Sequence, residues 1–307
     1  MQGLLNWGID VVLWFQQFSP ALDVPFKILT FLGDKEFFLL LMPLIYWCVD
    51  RQAGARLFML LLLSACLNEV AKLLVDQPRP FNYDPRVLKL VHEESGGFPS
   101  GHTQSAVVIW GYLAWRFKKQ FLWLLAGFLI VAIPLSRIYL GAHFPTDLIG
   151  GYAIGALLLF LFLRLDTTVA SWFAKKGILF QLGATLGLPV LLIGLIPSGK
   201  QDLLSAAGAL AGVATGMVLE RRWVRFSAGE SRRQQAIRYV LGVAILLVVW
   251  FGLRLAFKQL EPADLYRIIR YGLVGMWGGL GAPWLFVQLK LAEKEPVGNA
   301  ARPGAKA

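Results

Sequence analysis

The chain has 307 residues, of which 57% are hydrophobic and only 16% are charged. A soluble domain carries about a quarter charged residues, so this balance excludes an ordinary soluble domain and points to an integral helical membrane protein. The net charge of +11 sits mostly in short loops between apolar runs, which argues against a nucleic-acid partner and for membrane topology.

Leu4, Trp7, Val11, Trp14, Phe15 and Phe18 open the chain at helical spacing, with Asn6, Asp10 and Gln17 elsewhere on the wheel. The pattern predicts an amphipathic helix lying in the membrane interface, ended by Pro20 and followed by a short segment from Val24 to Gly33. No basic residue precedes Lys27, so no cleavable leader is expected. Nine spans follow, at 36–49, 56–75, 101–116, 121–135, 144–164, 178–196, 201–219, 239–257 and 268–289. Some are short for a bilayer of about 30 Å, so tilt or extension into neighbouring loops is expected. The expected fold is all-α: a polytopic transmembrane helix bundle of about nine spans plus the interfacial helix. It divides into the N-terminal region 1–34, a catalytic bundle 35–165, additional spans 166–292 and a disordered tail 293–307.

Cys48 and Cys66 both fall in apolar segments and imply no disulfide framework. Gly272, Gly275, Gly278, Gly279 and Gly281 predict close helix packing in the last span. The loops that hold Arg51, Arg116, Lys175 and Arg221, with the C-terminal tail, carry eighteen Lys and Arg; the opposite set, from Arg79 onward, carries nine. The richer side should be cytoplasmic, with the Arg-rich stretch from Arg221 to Arg238 as its topological anchor. Asp76, Asp84, Glu93 and Glu94 in the loop from Asp76 to Phe98 read as a solvated face rather than a divalent-ion site.

Three polar islands interrupt the apolar chain, and the charge count gathers them on the extracytoplasmic face. Ionisable residues beside spans are costly and mark function. Lys72 ends an apolar helix with Asn68 and Glu69 on its face, and Pro78 and Pro80 let Arg79 turn back toward the bundle. An ammonium and a guanidinium suit phosphate oxygens; the plainer alternative leaves Lys72 satisfied by Glu69. Ser100 and Gly101 precede a helix beginning near His102, where backbone N–H groups and the hydroxyl make an anion cradle, or simply an N-cap. There His102 stands ready to protonate a leaving oxygen. In the third island, Ser136-Arg137, His143 and Asp147, the spacing of four lets Asp147 orient one ring nitrogen and leave the other as a nucleophile. A His–Asp pair that only caps a helix is the alternative.

Lys72, six residues, Arg79-Pro80; Pro99-Ser100-Gly101-His102; and Ser136-Arg137, five residues, His143, three residues, Asp147 together resemble the full signature of the type 2 phosphatidic acid phosphatase family, which shares its site with the vanadium haloperoxidases. The resemblance covers residues 35–165. The span count also looks like the sphingosine-1-phosphate phosphatase and glucose-6-phosphatase branch. It implies an integral membrane phosphatase in which His143 attacks phosphorus to form a phosphohistidine and Asp147 orients it. His102 would protonate the departing oxygen and then activate water. Lys72, Arg79, Arg137, Ser100 and Gly101 would hold the phosphate oxygens. It implies no cofactor and no metal, a lipid phosphate or diphosphate as substrate, and a cell membrane, bacterial inner membrane included, with the site facing outward. The alternatives are a lipid phosphotransferase using the same site and a non-catalytic lipid or phosphate transporter. Oligomeric state has no signal in the chain.

Overall fold

The computed structural model describes residues 2–93, 95–194, 200–229 and 231–295. The expected tail beyond residue 295, the end of the sixth span and Glu94 lie outside these residues. Among them all regular secondary structure is helical, apart from one isolated β-bridge between Phe226 and Lys294. Helix α1 is Gln2–Gln16, α2 Asp23–Phe31, and α3 Lys35–Pro43, which continues as a π turn over Leu44–Val49. Then come α4 Arg51–Val75, the single turn α5 Pro80–Tyr83, α6 Gly101–Phe117, α7 Gln120–Tyr139 and α8 Pro145–Ala174. The last group is α9 Ile178–Gly194, α10 Gln201–Leu219, α11 Arg232–Ala256, α12 Ala263–Met276 and α13 Ala282–Gln288. Among the described residues, five stretches are long and apolar enough to cross a bilayer: Arg51–Tyr83, Gln120–Tyr139, Pro145–Ala174, Gln201–Val224 and Arg232–Ala256. On α7 and α8, Phe121, Leu124, Phe128, Leu157 and Phe160 are exposed. Such a display suits hydrocarbon as the solvent, and the protein is an integral membrane protein.

One compact unit comprises Met1–Leu40 and Leu60–Phe173. Its N-terminal helix differs from the expectation. Leu5, Ile9 and Val12 are buried, packed with Val87, Ile138, Phe144 and Leu148. Leu4, Trp7, Trp14 and Phe18, read from the sequence as one stripe, form an outward face. The helix is apolar on two sides, so it docks on the unit and still presents an apolar row. Gln16 fastens it by donating to the carbonyls of Leu88 (2.9 Å) and Tyr139 (3.0 Å) and accepting from Leu88 N at 2.8 Å. The Tyr139 hydroxyl donates to Asp23 Oδ1 at 2.6 Å, and Phe26 stacks on the Tyr139 ring. These contacts tie the end of α7 to the N-terminal segment.

Close helix approach comes from α8. A Cβ on Gly151 would lie 2.7 Å from the Ser100 carbonyl oxygen and 2.8 Å from Thr103 Cβ, and one on Gly155 3.0 Å from the Gln104 carbonyl. This four-residue glycine spacing lets α8 lie directly on the start of α6. Between α7 and α8, Gly141 turns the chain at φ +73° beneath the Leu88 carbonyl, a conformation open to glycine at no steric cost.

The second unit comprises Leu41–Met59 and Ala174–Ala307. As expected, Gly272, Gly275 and Gly279 lie in close helix contact, against Gly212 and against the backbone of Ala209 and Val213 on α10; Gly281 faces the Trp277 ring and Gly278 has open space beside it. Trp47 Nε1 donates to the Gly278 carbonyl at 3.0 Å. Buried Glu220 accepts from Arg51 Nη2 at 2.7 Å and from Phe226 N at 2.9 Å. Arg238, counted above among the topological cations, is fully buried and donates to the carbonyls of Ser227 and Ala228. It closes a loop as well as adding charge.

A methyl added at Gly151 meets backbone that cannot give way, whereas at Gly127 nothing lies within 4 Å. Gly151→Ala is expected to cost about 1–3 kcal/mol and Gly127→Ala almost nothing. Melting curves in detergent check this, and equal melting of the two variants would refute the close approach.

Candidate active site

Helix ends supply most of the polar residues. Lys72 occupies the last turn of α4, and Arg79 stands on extended backbone just before α5, whose first residue, Pro80, needs no hydrogen-bonded N–H. Ser100 caps α6 by accepting from Thr103 N at 3.4 Å. Arg137 lies in the last turn of α7; the Gly141 turn then delivers His143, and Asp147 falls in the first turn of α8. Arg79, Ser100, Arg137, His143 and Asp147 are all buried.

His143 Nδ1 lies 3.2 Å from Asp147 Oδ2, and its Nε2 lies 3.2 Å from Arg79 Nη1. A guanidinium can only donate, so Nε2 must be the accepting nitrogen and Nδ1 carries the proton toward Asp147. Asp147 is itself anchored, with Oδ1 accepting from Gln77 Nε2 at 2.6 Å and Oδ2 from Phe144 N at 2.9 Å. Burial, then the charges of Arg79, Arg137 and Lys72, hold the His143 imidazole well below its ordinary pKa. The ring is therefore a neutral base with an unprotonated Nε2.

The cations are not free in this state. Glu93 Oε1 pairs with Arg137 Nη2, and its Oε2 lies 3.5 Å from Arg79 Nη2. Arg79 Nε donates to the Ser95 carbonyl at 2.8 Å, while the Ser95 hydroxyl accepts from Lys72 Nζ (3.0 Å) and Arg79 Nη2 (3.3 Å). Lys72 also pairs with Glu69 at 2.7 Å. Burial raises the Glu93 carboxyl, but Arg137 and Arg79 outweigh it and bring the pKa down to about 2. A depressed carboxyl gives stability present above its ordinary value of 4.5 and lost as pH falls through about 2. Glu93 is thus an anion on the two guanidiniums at any physiological pH, and the solvated face expected for it is corrected. Its partner stands 44 positions away. Arg137 Nη1 donates to Thr30 Oγ1 at 2.6 Å, while its buried Nε meets no acceptor among the described residues.

Ser100 N donates to the Asp147 carbonyl at 3.0 Å, so that N–H is already used, while the hydroxyl keeps its own proton to donate. Gly101 faces Asn68, whose Oδ1 would lie 3.0 Å from an added Cβ. Asn68 in turn donates to the Pro99 carbonyl (3.3 Å) and to Gln104 Oε1 (2.9 Å), buttressing the turn. His102 Nε2 lies 2.8 Å from Asp34 Oδ1. The structure therefore links Lys72, Arg79, Arg137, His143 and Asp147 through direct contacts or one shared residue, and ties Ser100 to Asp147 through the backbone. His102 stands with Asp34. Glu93, Ser95, Gln77, Thr30 and Asp34 were missed by sequence reasoning. None has a periodic or motif signal, because each acts through a contact distant in the chain.

A buried base with an oriented ring, a second imidazole and three cations held by oxygen partners is suited to phosphoryl chemistry. Comparison with known proteins agrees. A profile described as the PAP2 superfamily matches residues 53–170, and one described as PAP2 superfamily phosphatase, transmembrane extension, matches residues 204–294. The chain is 34% identical to phosphatidylglycerophosphatase B of Bacillus subtilis (strain 168) over 164 residues, covering 49% of this chain and 78% of that protein. It is 32% identical to the probable sphingosine-1-phosphate phosphatase of Dictyostelium discoideum over 162 residues, 48% of this chain but 39% of that one. The crystal structure of a transmembrane PAP2-type phosphatidylglycerolphosphate phosphatase from Bacillus subtilis aligns with TM-score 0.48 and 27% identity, covering 55% of this chain and 89% of that chain. The chain belongs to the PAP2 superfamily of phosphatases.

Proposed function

We propose that this protein hydrolyses a lipid phosphate or diphosphate through a phosphohistidine formed on His143, without a metal, at a site on the extracytoplasmic side of a bilayer crossed nine times. The observation that carries the chemistry is the His143 ring, with Nδ1 directed to Asp147 and Nε2 unprotonated. Nε2 attacks phosphorus as the bond from phosphorus to the leaving oxygen breaks, and His102 gives that oxygen its proton. His102 then takes a proton from water, the resulting hydroxide attacks the phosphohistidine, and the P–N bond breaks to release phosphate and restore the ring. Lys72, Arg79 and Arg137 stabilise the equatorial oxygens, assisted by the Ser100 hydroxyl and the Gly101 N–H. Substrate phosphate takes the place of the Glu93 carboxylate and the Ser95 oxygens. The relatives named as lipid phosphatases and the apolar outer faces of α7 and α8 support a lipid as substrate. The excess of Lys and Arg on the opposite set of loops supports the orientation.

Protein purified in detergent with EDTA is expected to release inorganic phosphate from one or more of phosphatidic acid, phosphatidylglycerol phosphate, a sphingoid phosphate and a polyprenyl diphosphate. His143→Ala should remove at least about 10³-fold of the rate. Undiminished turnover in that variant excludes His143 as nucleophile.

Removing the Glu93 charge frees the guanidiniums for substrate. Glu93→Gln is expected to lower the inhibition constant for orthophosphate by about fivefold or more, the equivalent of about 1 kcal/mol. Titration against turnover measures this, and weaker inhibition would assign Glu93 to holding the site together instead.

The sign of the His143 shift also fixes a pH limit. Because its pKa lies well below 6.5, the nucleophile stays unprotonated as pH falls through 6.5, and the acidic limb of kcat/KM set by the enzyme should lie lower. Profiles for a monophosphate and a diphosphate separate substrate ionisation from the limb common to both. A common limb at 6.5 or above contradicts the assignment.

A further inference from the structure

The segment from Thr30 to Asp34 precedes the stretch matched by the superfamily profile, yet it reaches the site. Asp34, at the turn between α2 and α3, places Oδ1 2.8 Å from His102 Nε2, across 68 positions of sequence. Its neighbour Gly33 lies against the same ring: a Cβ there would fall 2.6 Å from His102 Cδ2 and 3.1 Å from Ile133 Cγ2. The turn thus presents a carboxylate to one ring nitrogen and bare backbone to the ring edge. The segment carrying it is tied down nearby, since Thr30 accepts from Arg137 Nη1 at 2.6 Å and Gly33 N donates to the Thr30 carbonyl at 2.8 Å.

We propose that Asp34 is the positioning residue of His102, making a second carboxylate–imidazole pair beside that of Asp147 and His143. This rests on the phosphatase reading above and deepens it. Asp34 accepts the Nε2–H, fixes the ring and stabilises the imidazolium, while Nδ1 passes its proton to the leaving oxygen and later takes one from water. Asp34 stays ionised throughout. The other charges facing the ring are Arg137 and Glu93, and His143 stands near enough to couple with it. Once substrate phosphate displaces Glu93, Asp34 stays on the ring to balance the imidazolium against Arg137. Its effect is therefore greatest in the loaded enzyme, where the acid acts.

The test separates a general-acid role from a structural one by the leaving group. An alkyl phosphate departs as a poor alkoxide that needs a proton, whereas p-nitrophenyl phosphate departs as a phenolate that does not. With full-length protein in detergent, Asp34→Asn is expected to lower kcat/KM, which reports the step in which the leaving group departs and not the water attack common to both esters, by about 10–100-fold on a lipid alkyl phosphate and by less than about threefold on p-nitrophenyl phosphate. The alkaline limb of kcat on the alkyl ester should move down by about one pH unit, because the imidazolium loses a facing negative charge. Asp34→Glu should restore most of the rate. Gly33→Ala, which pushes the ring from its partner, should show the same leaving-group signature and carries the test if Asp34→Asn does not fold. Equal losses on both esters, or an unchanged rate on the alkyl ester, overturn the Asp34 role alone. Wild-type protein that releases phosphate from neither ester overturns the phosphatase reading and this role with it.

Discussion

Mutual repulsion among Lys72, Arg79 and Arg137 is the constraint on which the rest of the site depends. Two unit charges about 4 Å apart cost about 4 kcal/mol at a dielectric of about 20, and these cations are gathered beside a buried imidazole. A cluster prepared for a tetrahedral anion must therefore hold internal anions when the substrate is absent. Glu93 sits on the two guanidiniums, Glu69 on the ammonium, and Ser95 adds oxygens to both Lys72 and Arg79. In the proposed mechanism substrate binding then exchanges one set of oxygens for another and leaves the cations paired throughout. A phosphate dianion competes well in that exchange, since it brings more charge and more acceptor oxygens than a carboxylate.

Such a cluster also needs walls that do not move. The glycine face of α8 supplies one by meeting the backbone at the start of α6, so the Ser100 turn and Asp147 share a rigid seam bridged by the Ser100 N–H. The N-terminal segment supplies another. Its contacts with Tyr139, Leu88 and Arg137 brace the end of α7, which carries one of the three cations. Site and scaffold are thus coupled through backbone contacts, where substitution leaves little room for adjustment.

The chain announces part of this and conceals the rest for identifiable reasons. Lys72, Arg79, His143 and Asp147 were legible because helix ends and a spacing of four define their relations locally. The helices were legible because lipid-facing runs are long and apolar. Glu93 was not: a carboxylate in a loop rich in proline and glycine looks solvated until its partner on α7 is known. Asp34, Gln77 and Thr30 fail in the same way, since a pairing across tens of residues leaves no period. Helix α1 misled differently. Apolar on both sides, it offered a convincing outward stripe at 4, 7, 14 and 18, and hid the buried row at 5, 9 and 12.

In the proposed mechanism Arg79 links charge stabilisation to the nucleophile itself. Its Nη1 donates to His143 Nε2, the atom proposed to attack phosphorus, and also to the Ala142 carbonyl at 3.0 Å. While that contact lasts, the lone pair on Nε2 is occupied and the imidazole is discouraged from taking a proton. An incoming phosphate oxygen is a stronger acceptor than a neutral ring nitrogen, so the guanidinium transfers its hydrogen bond to the substrate. The same shift exposes the Nε2 lone pair and places positive charge on the oxygens where negative charge accumulates. A nucleophile released by the arrival of its own electrophile needs no separate base, because Asp147 has already fixed the tautomer.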